Sequence, residues 1–230
     1  YTSDAMPPSA FWGYKTDGLI QTQEQLNAVK RADFQPNAEL GDVLFVDTNG
    51  DGKLDSSDRC MIGNPIPDII YGINMGMAWK GFDLNLQFGG TIGNQIFNAM
   101  RYYTYFPNDI TNKDRALMNY WTPNNTNTDI PRLTATDVND NDRFSDMYVE
   151  NGTYFRLRNA QLGYTLPASL TQRIKLQKVR FYVSGQNLFT ISSYSGMDPE
   201  VGQSSSLSRG IDYGIYPQNI SFTGGINVTF

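Results

Sequence analysis

The sequence predicts an all-β protein, and more specifically part of a transmembrane antiparallel β-barrel. Its 230 residues contain five segments in which apolar and polar residues alternate, a pattern typical of strands with one apolar face. Connections of very unequal length join these segments. No stretch approaches the roughly 20 apolar residues that a membrane helix needs, and the mean hydropathy is −0.43. Because barrel strands are only half apolar, these values exclude a membrane helix but not a membrane barrel.

The alternation predicts five strands, at residues 68–79, 82–92, 153–166, 178–190 and 218–230. Only Lys80-Gly81 separates the first two, which indicates a β-hairpin with a tight turn. The two halves of the third segment alternate in opposite phase. A one-residue β-bulge near Arg158-Asn159 reconciles them.

The same alternation predicts which way the side chains point. We expect lipid contacts from one set of residues: Ile73, Met75, Leu84, Leu86, Val183 and Ile226. We expect a second set to face the barrel lumen: Asn74, Asn85, Gln87, Ser184 and Thr223. The alternative is a soluble antiparallel sheet with one face on a core. The polar faces are rich in Gly, Asn, Ser and Thr and poor in Lys and Glu, which favours the membrane barrel.

The connections predict the organisation of the chain. Residues 1–67 are expected to form an extracellular loop region, and residues 68–230 the C-terminal strands of the barrel with long loops at 93–152 and 191–217. Short helices are predicted at residues 21–32 and 168–175. Outer-membrane barrels combine short periplasmic turns with long external loops, and the smallest single-chain examples have about eight strands. We therefore expect this chain to supply about the last five strands of a larger barrel.

Composition excludes several classes of function. The chain has 18 basic and 23 acidic residues, a formal charge of −5, no histidine and one cysteine. The acidic balance disfavours a nucleic-acid partner, whose phosphates require a basic face. The absence of histidine removes Ser-His-Asp and Cys-His catalytic arrangements. Composition therefore excludes catalytic arrangements that depend on histidine.

Residues 47–58 carry the clearest chemical motif, a loop similar to the calcium loop of an EF-hand. The predicted ligands are Asp47, Asn49, Asp51, the carbonyl of Lys53, Asp55 and Asp58. Gly52 permits the sharp turn, and Leu54 is expected to anchor the loop to an apolar surface. The spacing of the loop favours calcium. Because Asp58 reaches less far than the usual closing Glu, which favours a smaller coordination shell, magnesium stays open. The alternative is an Asx-rich surface turn without a metal. A helix-breaking context predicts a structural cation and not a sensor.

Three weaker candidates remain. Residues 137–142 are acidic but lack the glycine of a cation loop, which favours a solvated loop. Asp198 and Glu200 are interpreted as part of a surface turn and not as a catalytic pair. Five aromatic residues either offer stacking surfaces to sugars or peptides or pack a long loop: Tyr102, Tyr103, Tyr105, Tyr120 and Trp121.

A further set of segments lies at residues 12–18, 41–59, 62–68, 120–124, 154–159, 162–167, 186–189, 198–201 and 210–217, together with the terminal Phe230. These segments resemble the SusC-like (SusC/RagA) TonB-dependent outer-membrane transporters of Bacteroidetes. The cation-loop sequence falls within the second of these segments. Because they follow one another along nearly the whole chain, the resemblance is specific.

The resemblance implies the last five strands of a barrel of about 22 strands in the outer membrane of a Gram-negative cell. It implies import of oligosaccharides or peptides, with a SusD-like surface lipoprotein as a lid and the TonB-ExbB-ExbD system as the energy source. It carries over no catalytic residue, and it implies that the chain is not an enzyme. Two other classes stay open: a soluble calcium-bound carbohydrate-binding β-module, and a passive outer-membrane porin.

Overall fold

The computed structural model describes residues 7–105, 112–201 and 208–230. These residues form two compact units. The strand unit comprises residues 67–94, 152–199 and 216–230. The loop unit comprises residues 7–66, 95–105, 112–151, 200–201 and 208–215. Residues 1–6, 106–111 and 202–207, which belong to the three predicted loop regions, lie outside the described residues.

The described residues are mostly strand and loop, as the predicted all-β class requires. The strands are β1 (Phe11–Gly13), β2 (Thr16–Leu19), β3 (Val43–Phe45), β4 (Cys60–Gly63), β5 (Ile69–Trp79), β6 (Phe82–Ile92), β7 (Gln95–Asn98), β8 (Val149–Asn151), β9 (Tyr154–Thr165), β10 (Lys178–Ser192), β11 (Ile211–Asp212) and β12 (Ser221–Thr229). The helices are α1 (Gln23–Arg31), α2 (Ala99–Thr104) and α3 (Ala168–Thr171). Helices α1 and α3 confirm the two helices predicted near these positions. In the described part of the chain, none of the helices has the length and apolar character needed to cross a membrane.

The five predicted strands form one antiparallel sheet in the strand unit, in the order β5-β6-β9-β10-β12. Each strand pairs with the next of these five along the chain, so the sheet is an up-and-down meander. Lys80 and Gly81 form the tight turn between β5 and β6, both with positive φ, which suits a hairpin turn of the primed type. The sequence therefore predicted the five strands of this unit and the hairpin between the first two.

The register of the sheet places the two predicted sets of residues on opposite faces. Along one row Leu84, Leu162 and Val183 are direct partners, and along the next Asn85, Gln161 and Ser184 are. We call these the apolar face and the polar face. Val183 is 60% exposed on the apolar face, which suits a surface that meets something other than water. That this face meets lipid stays a prediction.

The predicted bulge is present, and a second irregularity accompanies it. Gln87 pairs with Asn159 and Phe88 with Leu157, so Arg158 is the extra residue of β9. On the other side of β9, Gln186 pairs with Asn159 and Phe189 with Leu157, so β10 carries one residue more than β9 there. Asn187 lies in this second irregularity with φ of 52°.

The loop unit contains three small sheets, β1-β4, β2-β3 and β11-β7-β8. Their side chains form apolar clusters, one around Phe11, Phe97 and Tyr148, another around Tyr14, Val43 and Trp121. Helix α1 begins at a capping box, in which Thr22 and Gln25 accept each other's backbone N–H groups. The long polar connections therefore have cores of their own.

Candidate functional site

The predicted cation loop, residues 47–58, follows strand β3 and precedes strand β4 in the loop unit. Gly50 and Gly52 both have φ of 78°, a conformation that glycine adopts without strain. The Asp47 carboxylate accepts the N–H of Gly50 at 2.6 Å and that of Gly52 at 2.8 Å. The first predicted ligand thus holds the turn that the glycines make.

The next predicted ligands form a series of short Asx turns. Asn49 Oδ1 accepts the Asp51 N–H at 2.8 Å, and Asp51 Oδ1 accepts the Lys53 N–H at 2.9 Å. Asp55 Oδ1 accepts the N–H of Ser57 at 2.7 Å. A carboxylate offers about four lone-pair sites, so each of these side chains keeps acceptor capacity beyond the turn it makes.

Asp58, the residue that closes the predicted ligand set, is fully buried. Its Oδ1 accepts the Thr48 N–H at 3.0 Å and its Oδ2 accepts the Asp55 N–H at 3.0 Å. The Thr48 hydroxyl donates in turn to the Asp58 carbonyl at 2.8 Å. Asp58 therefore joins the beginning of the loop to its end, the position that a closing ligand occupies.

Backbone and hydroxyl donors lower the pKa values of two loop carboxyls below their ordinary value of 3.8. The main cause is the N–H of Gly52 for Asp47 and the hydroxyl of Ser57 for Asp55. Both side chains are consequently charged at neutral pH, as ligands of a divalent cation must be.

The structure places the six predicted ligand residues in one turn, but it does not gather their charges around one point. Within the residues that the structure describes, no three acidic, Cys or His side chains form a group able to hold a metal ion. The predicted ligand set also includes two uncharged groups, the Asn49 side chain and the Lys53 carbonyl. The bound cation therefore stays a prediction.

Two contacts attach the loop to the unit that carries it. Leu54 packs against the cluster that contains Phe34, Val43 and Phe45, which confirms its predicted role as the apolar anchor. Arg59, directly after the loop, lies over the ring of Tyr14, with its guanidinium carbon 5.3 Å from the ring centroid. Leu54 and Arg59 therefore attach the loop to the core of its unit, in addition to its chain connections to β3 and β4.

The expectation of a solvated loop at residues 137–142 is wrong for its two asparagines. Asn139 and Asn141 are 6% and 1% exposed. Asn141 accepts the Val43 N–H at 2.8 Å and donates to Asp42 at 3.0 Å, while Asn139 accepts from Gln35 at 3.0 Å. These amides supply hydrogen-bond partners to backbone groups at the edge of β3. Without such partners, the burial of those groups would be costly.

Packing explains most of the five candidate aromatic residues. Trp121 is 6% exposed, and its ring lies so close to Gly41 that a Cβ there would come within 2.3 Å of it. Tyr102 meets Tyr148 edge-on, with the ring centroids 5.3 Å apart. Arg101 covers the ring of Tyr105, and Tyr120 is partly buried. Tyr103, 52% exposed, is the member of the set that most offers a surface.

The polar face of the strand unit carries an ion pair that spans three strands. Arg180 of β10 donates to both oxygens of Asp83 of β6, at 2.8 and 2.5 Å. Strand β9 lies between them and contributes Gly163, where a Cβ would come within 2.3 Å of the Arg180 guanidinium. The glycine therefore makes room for a bidentate pair.

A second ion pair on this unit corrects the interpretation of Asp198 as part of a surface turn. Arg156 of β9 and Asp198 are 1% and 5% exposed, and Arg156 Nη2 donates to Asp198 Oδ1 at 2.5 Å. Sequence reasoning missed Arg156. The signal available in the sequence was an arginine on a strand face rich in small, amide and hydroxyl residues.

The sequence of the chain is similar to those of known TonB-dependent receptors. The chain is 38% identical over 231 residues to TonB-dependent receptor P3 of Formosa agariphila, with 96% of the chain and 22% of that receptor covered. It is 29% identical over 198 residues to TonB-dependent receptor SusC of Bacteroides thetaiotaomicron, which covers 86% of the chain and 18% of SusC. No family model matches. The chain spans about a fifth of the length of the curated relatives it matches.

Solved structures show the same relationship. The RagAB peptide importer in its open-open state matches 100% of this chain and 24% of its own, with a TM-score of 0.73 and 25% identity. A further structure of the RagAB peptide transporter gives a TM-score of 0.72 over 97% of this chain. The chain is therefore part of an outer-membrane β-barrel of the TonB-dependent class. Within that class it belongs to the SusC-like receptors, and the interpretation as a soluble sheet falls away.

Proposed function

We propose that this chain forms part of the barrel wall and external loops of an importer for oligosaccharides or, as in RagAB, peptides. The observation that carries the proposal is the five-stranded meander with one apolar and one polar face, which matches the RagAB fold over the length of the chain. Such a sheet closes with further strands into a wall between lipid and an aqueous lumen. The chain serves transport and not catalysis.

The same proposal includes the partners. A SusD-like surface lipoprotein covers the barrel, and the TonB-ExbB-ExbD system supplies the energy through a part of the protein outside these residues. The relatives named as TonB-dependent receptors and SusC support this. RagAB supports peptides as the second substrate class.

Uptake by cells tests the proposal and separates it from a passive porin. Fluorescent maltoheptaose and a fluorescent tryptic casein digest serve as probes of the two substrate classes, in cells that express the full-length receptor with its lipoprotein. We expect saturable uptake of one probe, with loss of uptake when tonB is deleted. Uptake that persists without TonB contradicts the importer and favours the porin.

We also propose that residues 47–58 bind one divalent cation, calcium in preference to magnesium, which holds the external loop in shape. The turn at Gly50 and Gly52, the charged carboxylates and the buried closing Asp58 support it. The ligands would be Asp47, Asn49, Asp51, the Lys53 carbonyl, Asp55 and Asp58. Calorimetric titration of the full-length receptor with each ion tests the preference. Equal or tighter binding of magnesium contradicts the choice of calcium.

A further inference from the structure

The apolar face of the strand unit has a groove in its middle, which encloses about 410 Å³. Three small residues form its floor, Ala160 of β9, Gly185 of β10 and Gly224 of β12. The groove is open along the face, since the side chains beside it are exposed, that of Phe222 by 78%. Bulky apolar side chains form its borders: Leu84, Leu162, Val183, Leu188 and Phe222.

The irregularity of β10 builds one wall of this groove. The strand carries one residue more than β9 there, with Asn187 at a φ of 52°. Leu188, the next residue, lies over Gly185, where a Cβ would come within 2.7 Å of the leucine side chain. A larger residue at position 185 would displace Leu188, so the glycine and the irregularity together shape the groove.

The groove lies in the part of the sheet nearer to the tight turn at Lys80-Gly81. Leu84 follows Gly81 by three residues, and Ala160 pairs with Leu86, which follows Gly81 by five. At about 3.3 Å per residue, these rows lie roughly 10 and 16 Å from the turn along tilted strands. The apolar band of an outer-membrane barrel is about 25 Å tall, and its short turns are periplasmic. The groove therefore falls in the periplasmic leaflet, which consists of phospholipid.

We propose that this groove holds one acyl chain of a phospholipid from the periplasmic leaflet. The sheet is part of an outer-membrane barrel, so the groove is continuous with the face predicted to meet lipid. A flexible, unbranched apolar chain follows a narrow groove, and contact with a floor and two walls gives it more dispersion attraction than a flat face does. The bound lipid therefore exchanges more slowly than its neighbours. This rests on the facing of the sheet and not on what the receptor imports.

A photoreactive lipid tests the proposal in the full-length receptor. The receptor is reconstituted with phosphatidylethanolamine that carries a diazirine in one acyl chain, extracted into dodecyl maltoside and then irradiated, so that loosely held lipid is diluted before it reacts. We expect mass spectrometry to find several-fold more label at Leu188 and Phe222 than at Met77, which lies at the same depth on the same face but outside the groove. Equal labelling at the three positions overturns the proposal, because it indicates ordinary lipid contact.

Two matched glycine changes test the groove itself. A Cβ at Gly224 or at Gly72 would have no neighbour nearer than 3.9 Å, so neither Cβ overpacks the sheet. Gly224→Val fills the groove, whereas Gly72→Val adds the same side chain on the polar face. Per folded receptor, we expect Gly224→Val to lower the labelling of Leu188 several-fold and Gly72→Val to leave it unchanged. Unchanged labelling in Gly224→Val overturns the proposal.

Two further variants keep the test decisive. Leu188→Ala removes a wall without adding volume, so it should lower the labelling of Phe222 several-fold even where Gly224→Val fails to assemble, and unchanged labelling again overturns the proposal. Phe222→Cys, in a receptor with Cys60→Ser and any other cysteine replaced, asks whether a second copy occupies the groove. We expect monomers after oxidation. A disulfide-linked dimer would assign the groove to a second receptor and overturn the acyl chain.

Discussion

The carboxylate of Asp83 and the guanidinium of Arg180 meet across a strand that contributes no side chain between them. Gly163 occupies that place on β9, so that the pair crosses from β6 to β10 at 2.8 and 2.5 Å. Glycine normally weakens a strand, because it packs nothing and loses much backbone freedom. At this position it enables a bidentate ion pair that joins three strands.

Replacement of Gly163 by Ala should therefore destabilise the assembled receptor. Its Cβ would come within 2.3 Å of the Arg180 guanidinium and 2.5 Å of the Asp83 carboxylate, and overpacking of this kind costs about 1–3 kcal/mol. The measurement is the temperature at which the folded barrel band is lost in semi-native electrophoresis. Gly72→Ala on the same face is the control, since its Cβ would have no neighbour nearer than 3.9 Å. Equal loss in both variants contradicts the explanation.

The facing of the sheet can be tested at two adjacent positions of β10. Val183 lies on the apolar face and Ser184 on the polar face. Arginine on the lipid face near mid-membrane costs about 2–4 kcal/mol, whereas lumen positions tolerate it. We expect Val183→Arg to lower the amount of assembled receptor and Ser184→Arg to leave it nearly unchanged. The reverse order, or faster aqueous labelling of cysteine at 183 than at 184, would reverse the assignment of the faces.

Removal of two carboxylates should abolish the proposed cation site. The double change Asp47→Ala and Asp51→Ala removes the first and third side-chain ligands as well as the acceptor for Gly50 and Gly52. We expect loss of bound metal in elemental analysis and faster hydrogen exchange over residues 47–58. Asp17→Ala, which removes an exposed carboxylate of the same unit outside the loop, should change neither. Full metal occupancy in the double variant refutes the assignment.

The loop conformation should persist in mild acid. The pKa of Asp47 is below 3.8, chiefly because the Gly52 N–H donates to it. A carboxyl whose pKa is lower in the folded protein contributes stability above its unfolded value, and this contribution is lost as the pH falls through the folded value. The protection of the Gly50 and Gly52 amides from exchange, relative to the intrinsic rate at each pH, should therefore persist down to about pH 4 and fall only below it. A fall in protection already between pH 6 and 5 contradicts this, and Asp47→Asn should remove the pH dependence.

The sequence contained the strand positions because alternation is a local signal. It revealed the bulge at Arg158, since one extra residue reverses the phase of β9. It concealed the irregularity at Asn187, because β10 gains two residues relative to β6 there and two residues restore the phase. Alternation cannot detect an insertion that equals its own period.

Partners distant in the chain were beyond such reasoning. Asn141 and Val43 are 98 residues apart, and Arg156 and Asp198 are 42 apart. Asn141 and Asp198 lie in loops, where Asn and Asp side chains are ordinarily solvated. The turn geometry of the cation loop was predictable for the opposite reason: its donors and acceptors lie within one stretch of 12 residues. Metal binding by the loop depends on more than those 12 residues.

The outer strands of the sheet lead to the last prediction. In the described residues β5 pairs only with β6, and β12 only with β10, so each has an edge of unpaired N–H and C=O groups. Such groups cost several kcal/mol each in hydrocarbon, and in water an open edge invites aggregation. We therefore expect residues 1–230 expressed alone to aggregate, while the full-length receptor assembles because further strands pair with both edges. Circular dichroism and size measurements in detergent provide the test. A monodisperse, heat-resistant β-rich monomer of residues 1–230 would show that the chain satisfies its own edges and needs no further strands.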